Sequence, residues 1–294
     1  MIDKIKGTGV ALVTPFKYDN SIDYAGLEKL INHVINGGID YLVVLGTTGE
    51  SGSLSRDEKL EVVNFCKKIN GNRVPIVLGV GGNNTSQVIS DFDFFDLEGI
   101  TAILSVSPYY NKPTQEGIYQ HYKSISKACL LPIIIYNVSG RTSSNIAAET
   151  TLNLARDFKN IIAIKEASGD MLQIMRIIKE KPSDFVLLSG DDSLTLPIIY
   201  MGGEGVISVI GQAFPKKFSS MVNFSLLDNK KAANKLHYQL HDFYAPLYDE
   251  GNPVGIKACL ENLGICKAAV RLPLVKASNK ICNQYKTLGK QWEN

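Results

Sequence analysis

The chain alternates between short apolar runs and longer segments in which apolar residues recur at helical spacing. Continuous apolar runs are typical of strands that are buried on both faces, as in parallel sheets. The starts of eight such runs lie between 20 and 35 residues apart, and the runs span residues 9–16, 41–46, 75–80, 101–106, 132–138, 161–165, 185–190 and 205–210. The segments between them carry helix signals, such as the capping box that Ser55 and Glu58 can form. Eight strand–helix units in one chain predict an α/β fold of the (β/α)8 TIM-barrel type.

Two further features of the pattern refine this prediction. A doubly wound open sheet is the alternative, but it would usually carry a GxGxxG turn after its first strand, and none is there. The strand–helix rhythm ends near residue 226, and helical patterns follow at 230–248, 254–263 and 273–289. We therefore predict a barrel over residues 1–226 and a C-terminal helical region over residues 227–294. This region carries no obvious chemistry, so we expect it to serve packing or oligomer contacts.

Composition and charge exclude several classes of function. The 31 Lys and Arg residues nearly balance the 29 Asp and Glu residues, so no charge excess predicts a nucleic-acid or membrane partner. The longest apolar stretch, residues 129–136, is far shorter than the roughly 20 residues of a membrane-spanning helix. No targeting segment is visible at the N-terminus, and the five cysteines contain no CxxC pair. We expect a cytoplasmic protein with free thiols and no metal site.

Two potentially reactive side chains follow predicted strands at the end where barrel enzymes carry their active sites. Lys165 closes the otherwise apolar sixth run, and an amine held among apolar groups loses part of its preference for the charged form. Such an amine can attack a carbonyl and form a Schiff base, although a strand-end lysine can also reach into water. Tyr136 ends the neighbouring run and could shuttle protons or serve as a half-buried rim aromatic.

Two more groups on the same rim suit carboxylates. Thr47 and Thr48 lie in a glycine-flanked turn after the second run, where hydroxyls and backbone N–H groups can bind an anion. Arg141 follows the fifth run, and its planar fork matches a second carboxylate, with a surface salt bridge as the alternative. Asp191 and Asp192 follow the seventh run without a third metal ligand of suitable spacing, so we expect them to form hydrogen bonds within the rim.

With these residues in place, the sequence resembles the dihydrodipicolinate synthase family, which belongs to the class I pyruvate-dependent aldolases and lyases. The motifs that carry the resemblance are GTTGES at 46–51, SPYYNKPTQEG at 107–117, YNVSGRT at 136–142, IKEASG at 164–169, LLSGDD at 187–192, GGEGVIS at 202–208, NPVGIKACLENLG at 252–264 and RLPL at 271–274. The resemblance implies condensation of pyruvate with L-aspartate 4-semialdehyde through a lysine Schiff base. The product would be 4-hydroxy-tetrahydrodipicolinate, for lysine and diaminopimelate biosynthesis. No cofactor and no metal are implied.

The resemblance also implies catalytic roles. Lys165 would form the imine with pyruvate, and Tyr136 would shuttle protons. Thr47 would assist, together with Tyr110, which in this family reaches in from a neighbouring subunit. The implied assembly is a homo-oligomer, expected to be a tetramer built from two tight dimers, with a lone dimer as the alternative.

Substrate binding is implied for four more positions. Thr48 and the region of Ile207 would hold the pyruvate carboxylate, and Gly190 would contribute to the same site. Arg141 would hold the carboxylate of L-aspartate 4-semialdehyde. The enamine formed from the imine would attack the aldehyde, and the substrate's own amine would then displace the lysine and close the ring. This chemistry needs a nucleophile, a proton relay and electrostatic anchors.

The sequence departs from the family pattern at two positions. The family usually has proline at the positions of Ser139 and Gly255, which we expect in loops, where the change affects rigidity rather than chemistry.

Two alternative functions are open at this point. One alternative is a sister enzyme, either N-acetylneuraminate lyase or a 2-keto-3-deoxy-sugar-acid aldolase. The threonine pair together with Arg141 favours the synthase. The other alternative is a non-catalytic barrel that binds a metabolite, and the presence of the reactive residues disfavours it.

A regulatory pocket is the last feature that the resemblance implies. Lysine-sensitive members bind free lysine at a subunit interface, near the positions that are here Ser51, Gly52, Arg56, Lys59, Asn83, Gln87 and Tyr109. Sensitive bacterial members commonly have histidines at positions 56 and 59 and a glutamate at position 87. Arg56 and Lys59 place positive charge beside a cationic effector, at a cost on the order of 1 kcal/mol in water for charges about 4 Å apart. Gln87 lacks the anion that would pair with the ammonium. We expect weak or absent inhibition by lysine, unless the two cations simply lie on an exposed helix face.

Overall fold

A closed barrel of eight parallel strands in chain order forms the centre of the computed structural model, which describes the backbone of residues 2–292 and the side chains of residues 2–289. The strands are β1 (Gly7–Ala11), β2 (Tyr41–Val44), β3 (Ile76–Gly79), β4 (Ala102–Val106), β5 (Ile133–Asn137), β6 (Ile161–Glu166), β7 (Val186–Ser189) and β8 (Gly205–Ser208). The ring closes because β1 pairs with both β2 and β8. The predicted TIM-barrel fold is confirmed.

Helices surround the barrel and continue beyond its last strand. They are α1 (Tyr24–Asn36), α2 (Arg56–Asn70), α3 (Thr85–Phe94), α4 (Gln115–Ala128), α5 (Ser139–Thr142), α6 (Ala148–Asp157), α7 (Met171–Glu180), α8 (Thr195–Tyr200), α9 (Pro215–Leu226), α10 (Lys230–Tyr248), α11 (Val254–Asn262) and α12 (Asn279–Trp292). The capping box predicted at the start of α2 is present, because Ser55 and Glu58 each accept a hydrogen bond from the other's backbone N–H. The predicted C-terminal helical part is confirmed as α10 to α12.

Two elements, β1 and the last helix, differ most from their predicted bounds. β1 begins at Gly7 and ends at Ala11, rather than following the apolar run to residue 16. Beyond Leu12 the chain leaves the ladder, and the N–H of Val13 instead donates to the Gln212 side chain at 2.8 Å. The last helix begins at Asn279 rather than at residue 273, and the Ser278 hydroxyl caps this start by accepting a hydrogen bond from the N–H of Ile281 at 3.5 Å.

The two positions that depart from the family's proline pattern also lie elsewhere than expected. Ser139 is the first residue of the short helix α5, and Gly255 lies within α11 rather than in a loop. At Gly255 a Cβ atom would stand 2.4 Å from the carbonyl oxygen of Pro246 and 2.5 Å from that of Leu247. Gly255 therefore allows α11 to approach the backbone of α10 closely.

The core has two layers, as a barrel requires. One layer fills the barrel interior and includes Tyr41, Val77, Ile134 and Leu188. The larger layer lies between the outer faces of the strands and the surrounding helices, with Phe218 of α9 among its fully buried members. Because the interior is packed with side chains, small molecules can reach the barrel only at its rim.

Three further features of the chain concern membrane-spanning helices, potential metal ligands and cysteines. Within residues 2–292, no helix has the length and apolar character needed to cross a membrane. In that same part of the chain, no group of three or more His, Cys, Asp or Glu side chains is arranged to hold a metal ion. The five cysteines are free thiols, and four of them are buried.

A buried histidine on α4 makes the stability depend on pH. His121 accepts or donates one hydrogen bond with Thr85 through Nδ1 at 2.8 Å, and burial lowers its pKa from 6.5 to about 4. The unfolded chain therefore binds more protons between these values, so stability falls as the pH falls. We expect the wild type to lose about 2 kcal/mol more than His121→Asn between about pH 7.5 and pH 5 in urea unfolding. Parallel pH profiles for the two proteins would contradict this.

Candidate active site

The two reactive side chains predicted from the sequence lie side by side at the carboxyl end of the barrel. In the register of β5 and β6, Tyr136 is opposite Lys165, and Asn137 is opposite Glu166. Lys165 is 5% exposed, and its Nζ lies 4.3 Å from the centre of the Tyr136 ring. Since successive strand residues point to opposite faces, Lys165 and Tyr136 share the inner face of the barrel. A buried amine thus stands beside a phenol that can exchange protons near it.

A cavity of about 160 Å³ opens above this pair. Its lining residues come from the ends of several strands and from the C-terminal region: Ala11, Gly46, Thr47, Thr48, Leu104, Tyr136, Val138, Arg141, Lys165, Ala167, Gly190, Asp191, Val209, Tyr248 and Asn252. Six of the eight catalytic and substrate-binding residues predicted from the sequence are therefore brought together. The two that do not line the cavity are Tyr110 and Ile207.

Tyr110 and Ile207 are absent from the cavity lining for different physical reasons. Tyr110 is 85% exposed, in a loop position with a left-handed φ of 68°, so its side chain is open to solvent. Ile207 is 1% exposed and belongs to the packed interior of the barrel. Val209, two residues further on, lines the cavity instead.

A short turn after β2 presents the two threonines to the cavity. We call residues 46–50 the threonine turn; it includes a 3₁₀ turn from Thr47 to Gly49 and ends at Glu50. The Thr14 hydroxyl donates to the carbonyl oxygen of Gly49 at 2.7 Å, which ties the turn to the segment after β1. Thr48 is buried and Thr47 is exposed, so the turn offers one hydroxyl inside the cavity and one at its edge.

Arg141 lies on α5, directly after the strand that carries Tyr136. One of its guanidinium nitrogens donates to the backbone oxygen of Asn252 at 3.2 Å. Arg141 also lines the cavity, so N–H groups of its guanidinium are available to bind an anion there bidentately.

The two adjacent aspartates after β7 form hydrogen bonds within the rim. Asp192 is buried and accepts hydrogen bonds from the backbone N–H groups of Val209 and Ile210, the latter at 2.8 Å. Burial raises its pKa to about 6, against the opposing effect of these hydrogen bonds. Asp191 caps the following turn through its bond to the Ser193 N–H at 2.9 Å.

Comparison with known proteins agrees with this geometry. The profile of the Dihydrodipicolinate synthetase family matches residues 4–291. The chain belongs to this family. The 4-hydroxy-tetrahydrodipicolinate synthase of Flavobacterium psychrophilum is 52% identical over 285 residues, which cover 97% of each chain. The family predicted from the sequence motifs is therefore confirmed.

Solved structures of the family have the same fold over nearly the whole chain. The dihydrodipicolinate synthase of Thermotoga maritima is 38% identical, with a TM-score of 0.95, over 97% of this chain and 98% of that one. A structure described as the first monomeric dihydrodipicolinate synthase variant is 37% identical, with a TM-score of 0.95, over 99% of this chain and 97% of that one.

The contribution of the C-terminal region to the cavity was not predicted from the sequence. Tyr248 ends α10 and lines the cavity, as does Asn252 before α11. The Asn252 side-chain nitrogen donates to the Thr48 hydroxyl at 2.9 Å, while its backbone oxygen accepts from Arg141. Its side-chain oxygen is buried and has no hydrogen-bond partner among the described residues. Both carboxylate anchors predicted on the barrel thus meet at one residue outside it.

Glu166 is a second residue that sequence reasoning missed. It follows Lys165 and is buried on the opposite face of β6, where burial raises the pKa of its carboxyl. It accepts hydrogen bonds from Asn137 at 3.0 Å, from Gln173 at 3.1 Å and from the N–H of Ser168 at 2.7 Å. These bonds fix the ends of β5 and β6, where the reactive pair lies. A charged residue inside an apolar strand was the available signal.

The residues implied for a lysine pocket fall into two groups. Ser51, Gly52, Lys59 and Tyr109 line a second cavity of about 300 Å³, which shares Thr47 and Arg141 with the first. The other three lie beside it: Asn83 donates to the backbone oxygen of Tyr109 at 3.2 Å, and Arg56 and Gln87 both contact Asp91. Asp91 is an anion near this cavity that the resemblance to the family did not predict.

Proposed function

We propose that the chain condenses pyruvate with L-aspartate 4-semialdehyde to form 4-hydroxy-tetrahydrodipicolinate, as a lyase of lysine and diaminopimelate biosynthesis. The observation that carries this is the buried Lys165 beside Tyr136, at the base of a cavity with two separate carboxylate anchors. The prediction of this reaction from the sequence is confirmed by two curated relatives that are named 4-hydroxy-tetrahydrodipicolinate synthase. They are 52% and 51% identical to this chain over 97% and 92% of its length.

Lys165 is the nucleophile in this mechanism. Its neutral amine attacks the keto carbon of pyruvate, and loss of water gives an imine whose carboxylate is held at the threonine turn. The imine makes the methyl group acidic, and removal of one proton through Tyr136 gives an enamine. The enamine carbon attacks the aldehyde of the second substrate, and the new alkoxide takes up a proton. The amine of that substrate then attacks the imine carbon, which closes the ring and releases Lys165.

Arg141 binds the second substrate in this account. Its side chain lines the cavity and is oriented by the backbone oxygen of Asn252. A carboxylate there forms charge-assisted hydrogen bonds that hold the aldehyde toward the enamine. The two anchors explain why both substrates are acids.

We make three further proposals, which concern the cofactor requirement, the roles of the two regions of the chain and the location of the protein. The covalent bond to Lys165 supplies the electron sink, so no external cofactor is required. We assign the chemistry to residues 1–226 and a supporting role to residues 227–294. We place the protein in the cytoplasm, where both substrates are metabolites and free thiols persist.

We propose a homotetramer, built as a dimer of dimers, in which Tyr110 reaches the cavity of a neighbouring subunit. The support is its 85% exposure, beside the 41% exposed Tyr109. Adjacent exposed aromatic side chains are typical of residues that become covered in an interface.

Activity is expected to depend on this assembly. Dilution until light scattering reports monomers should lower the turnover per subunit, because Tyr110 is withdrawn from the proton relay. Tyr110→Phe should lower turnover without changing the assembly, because it removes only the hydroxyl. Monomers with the full activity of the oligomer would contradict the proposed role of Tyr110.

Lysine is expected to inhibit weakly or not at all. Asp91 is an anion beside the implied pocket, but Arg56 pairs with it at 3.6 Å and Gln87 donates to it at 2.9 Å, so little of its charge is left for an ammonium. Lys59 adds a further positive charge at the cavity wall. Initial rates against lysine should show half-inhibition above about 1 mM, which corresponds to binding weaker than about −4 kcal/mol. Half-inhibition in the micromolar range would show that the pocket recognises lysine despite these cations.

One assay separates the proposed reaction from its alternatives. Purified protein is given pyruvate with L-aspartate 4-semialdehyde, and separately N-acetylneuraminate or a 2-keto-3-deoxy-sugar acid. We expect product only from the first mixture, because Arg141 and the threonine turn match two carboxylates rather than a polyol chain. Cleavage of a sugar acid at a comparable rate would favour a sister enzyme, and no reaction with any of them would favour a binding protein.

A further inference from the structure

The threonine turn ends at a buried ion pair with the C-terminal region. The side chain of Glu50 is 2% exposed, and that of Lys257, on α11, is fully buried. Lys257 Nζ lies 2.5 Å from one carboxylate oxygen of Glu50 and donates to the backbone oxygen of Ala269 at 2.8 Å. The other carboxylate oxygen accepts from the backbone N–H of Arg271 at 3.1 Å. Both ions of the pair are therefore held from the C-terminal side.

The turn itself is held in an uncommon conformation. Glu50 has φ of 52° and ψ of 35°, in the left-handed region that residues other than glycine rarely adopt. Such a conformation persists where surrounding contacts determine it. Two contacts come from the segment 252–257: Lys257 of α11 contacts Glu50, and Asn252, which precedes α11, contacts Thr48. The C-terminal segment 252–257 thus forms hydrogen bonds with the threonine turn at two positions.

A gain in folding stability does not explain why a buried ion pair is present at Glu50 and Lys257. Burial lowers the pKa of the Lys257 ammonium, an effect that Glu50 opposes, so the pair forms against the cost of removing charge from water. Apolar residues of similar volume in place of a buried pair are often neutral or stabilising, whereas removal of one partner is strongly destabilising. The pair instead fixes the orientation of the Glu50 side chain relative to α11, because both carboxylate oxygens accept hydrogen bonds from the C-terminal region.

We infer, on the basis of the reaction proposed above, that Glu50 and Lys257 are positioning residues that hold the threonine turn in the conformation that binds the pyruvate carboxylate. The C-terminal region is then part of substrate binding, through Lys257 and Asn252, although it carries none of the reacting groups. The pair acts through Thr47 and Thr48 and does not touch pyruvate.

The test uses Glu50→Gln, Lys257→Met and the double variant in the full-length protein. Thermal unfolding is measured together with borohydride trapping of pyruvate on Lys165 at increasing pyruvate concentration. Each single change leaves an unpaired buried group and should lower the unfolding temperature, whereas the double variant should regain most of it. We expect the pyruvate half-saturation of the double variant to remain about tenfold above wild type, while the amount trapped at saturation and the KM for the semialdehyde change little.

A matched control is the double variant Glu261→Gln, Lys276→Met, which removes an ion pair of 3.2 Å within the C-terminal region that does not contact the turn. It should trap pyruvate like the wild type. If the restored double variant at positions 50 and 257 also has the wild-type half-saturation, the pair is only structural and the inference is overturned. Should that double variant fail to fold, Glu50→Gln, which keeps the side-chain shape, decides in the same way. Failure of the wild type to trap pyruvate would instead overturn the proposed function.

Discussion

Lys165→Ala is expected to abolish borohydride-dependent trapping of pyruvate and to lower turnover by about 10³-fold or more, because no other amine among the described side chains lines this cavity. Lys165 is the lysine that lines the cavity with Tyr136, and its Nζ lies 4.3 Å from the ring centre. Without the imine, the methyl group of pyruvate does not become acidic enough to form the nucleophile. The measurements are steady-state rates and mass spectrometry of the reduced protein.

A matched control for this variant is Lys181→Ala. Lys181 is also largely buried, but it lies between α7 and β7, where its ammonium pairs with Glu204 at 3.2 Å, away from the cavity. This variant should keep the trapping reaction, whatever it costs in stability. Normal trapping by Lys165→Ala, with the adduct on another lysine, would contradict the assignment of the nucleophile.

Arg141→Ala is expected to damage the use of L-aspartate 4-semialdehyde far more than the trapping of pyruvate. Loss of a charge-assisted contact to the substrate carboxylate costs about 1.5–3 kcal/mol, so kcat/KM for the semialdehyde should fall roughly 10- to 150-fold. The half-saturation for pyruvate should change little, since the threonine turn holds that carboxylate. Rates are measured against each substrate at saturation of the other.

Arg141→Lys is the matched variant, because lysine keeps the charge but loses the planar fork. It should recover part of the semialdehyde affinity, and less than the arginine provides. An equal loss for both substrates in Arg141→Ala would show that the side chain instead acts by orienting Asn252, to which it donates at 3.2 Å.

The barrel could be predicted from the sequence because its signal is local. Most strands contain a continuous apolar run, and Lys165 stood out as a charged residue at the end of one of these runs. The start of β1 was missed because Gly7 and Thr8 are not strongly apolar, although both are buried against β8. The start of α12 was missed because amphipathic spacing continues across residues that contain a proline.

The site could be predicted only as far as local motifs reach. Thr48 and Arg141 lie in recognisable motifs after their strands, whereas their shared partner Asn252 is more than 100 residues away in sequence. Nothing in the periodicity of the C-terminal helices indicates that Lys257 meets Glu50. Such long-range polar contacts depend on the docking of the C-terminal region, which apolar spacing alone does not specify.

The central claim is that pyruvate is activated as an imine on Lys165. The most direct measurement treats the wild type with pyruvate and borohydride, digests the protein, and locates the reduced adduct by mass spectrometry. We predict one adduct per chain, on the peptide that contains Lys165, and prior addition of L-aspartate 4-semialdehyde should discharge the imine before reduction. An unmodified protein, or an adduct on another lysine while Lys165 stays free, would contradict the account.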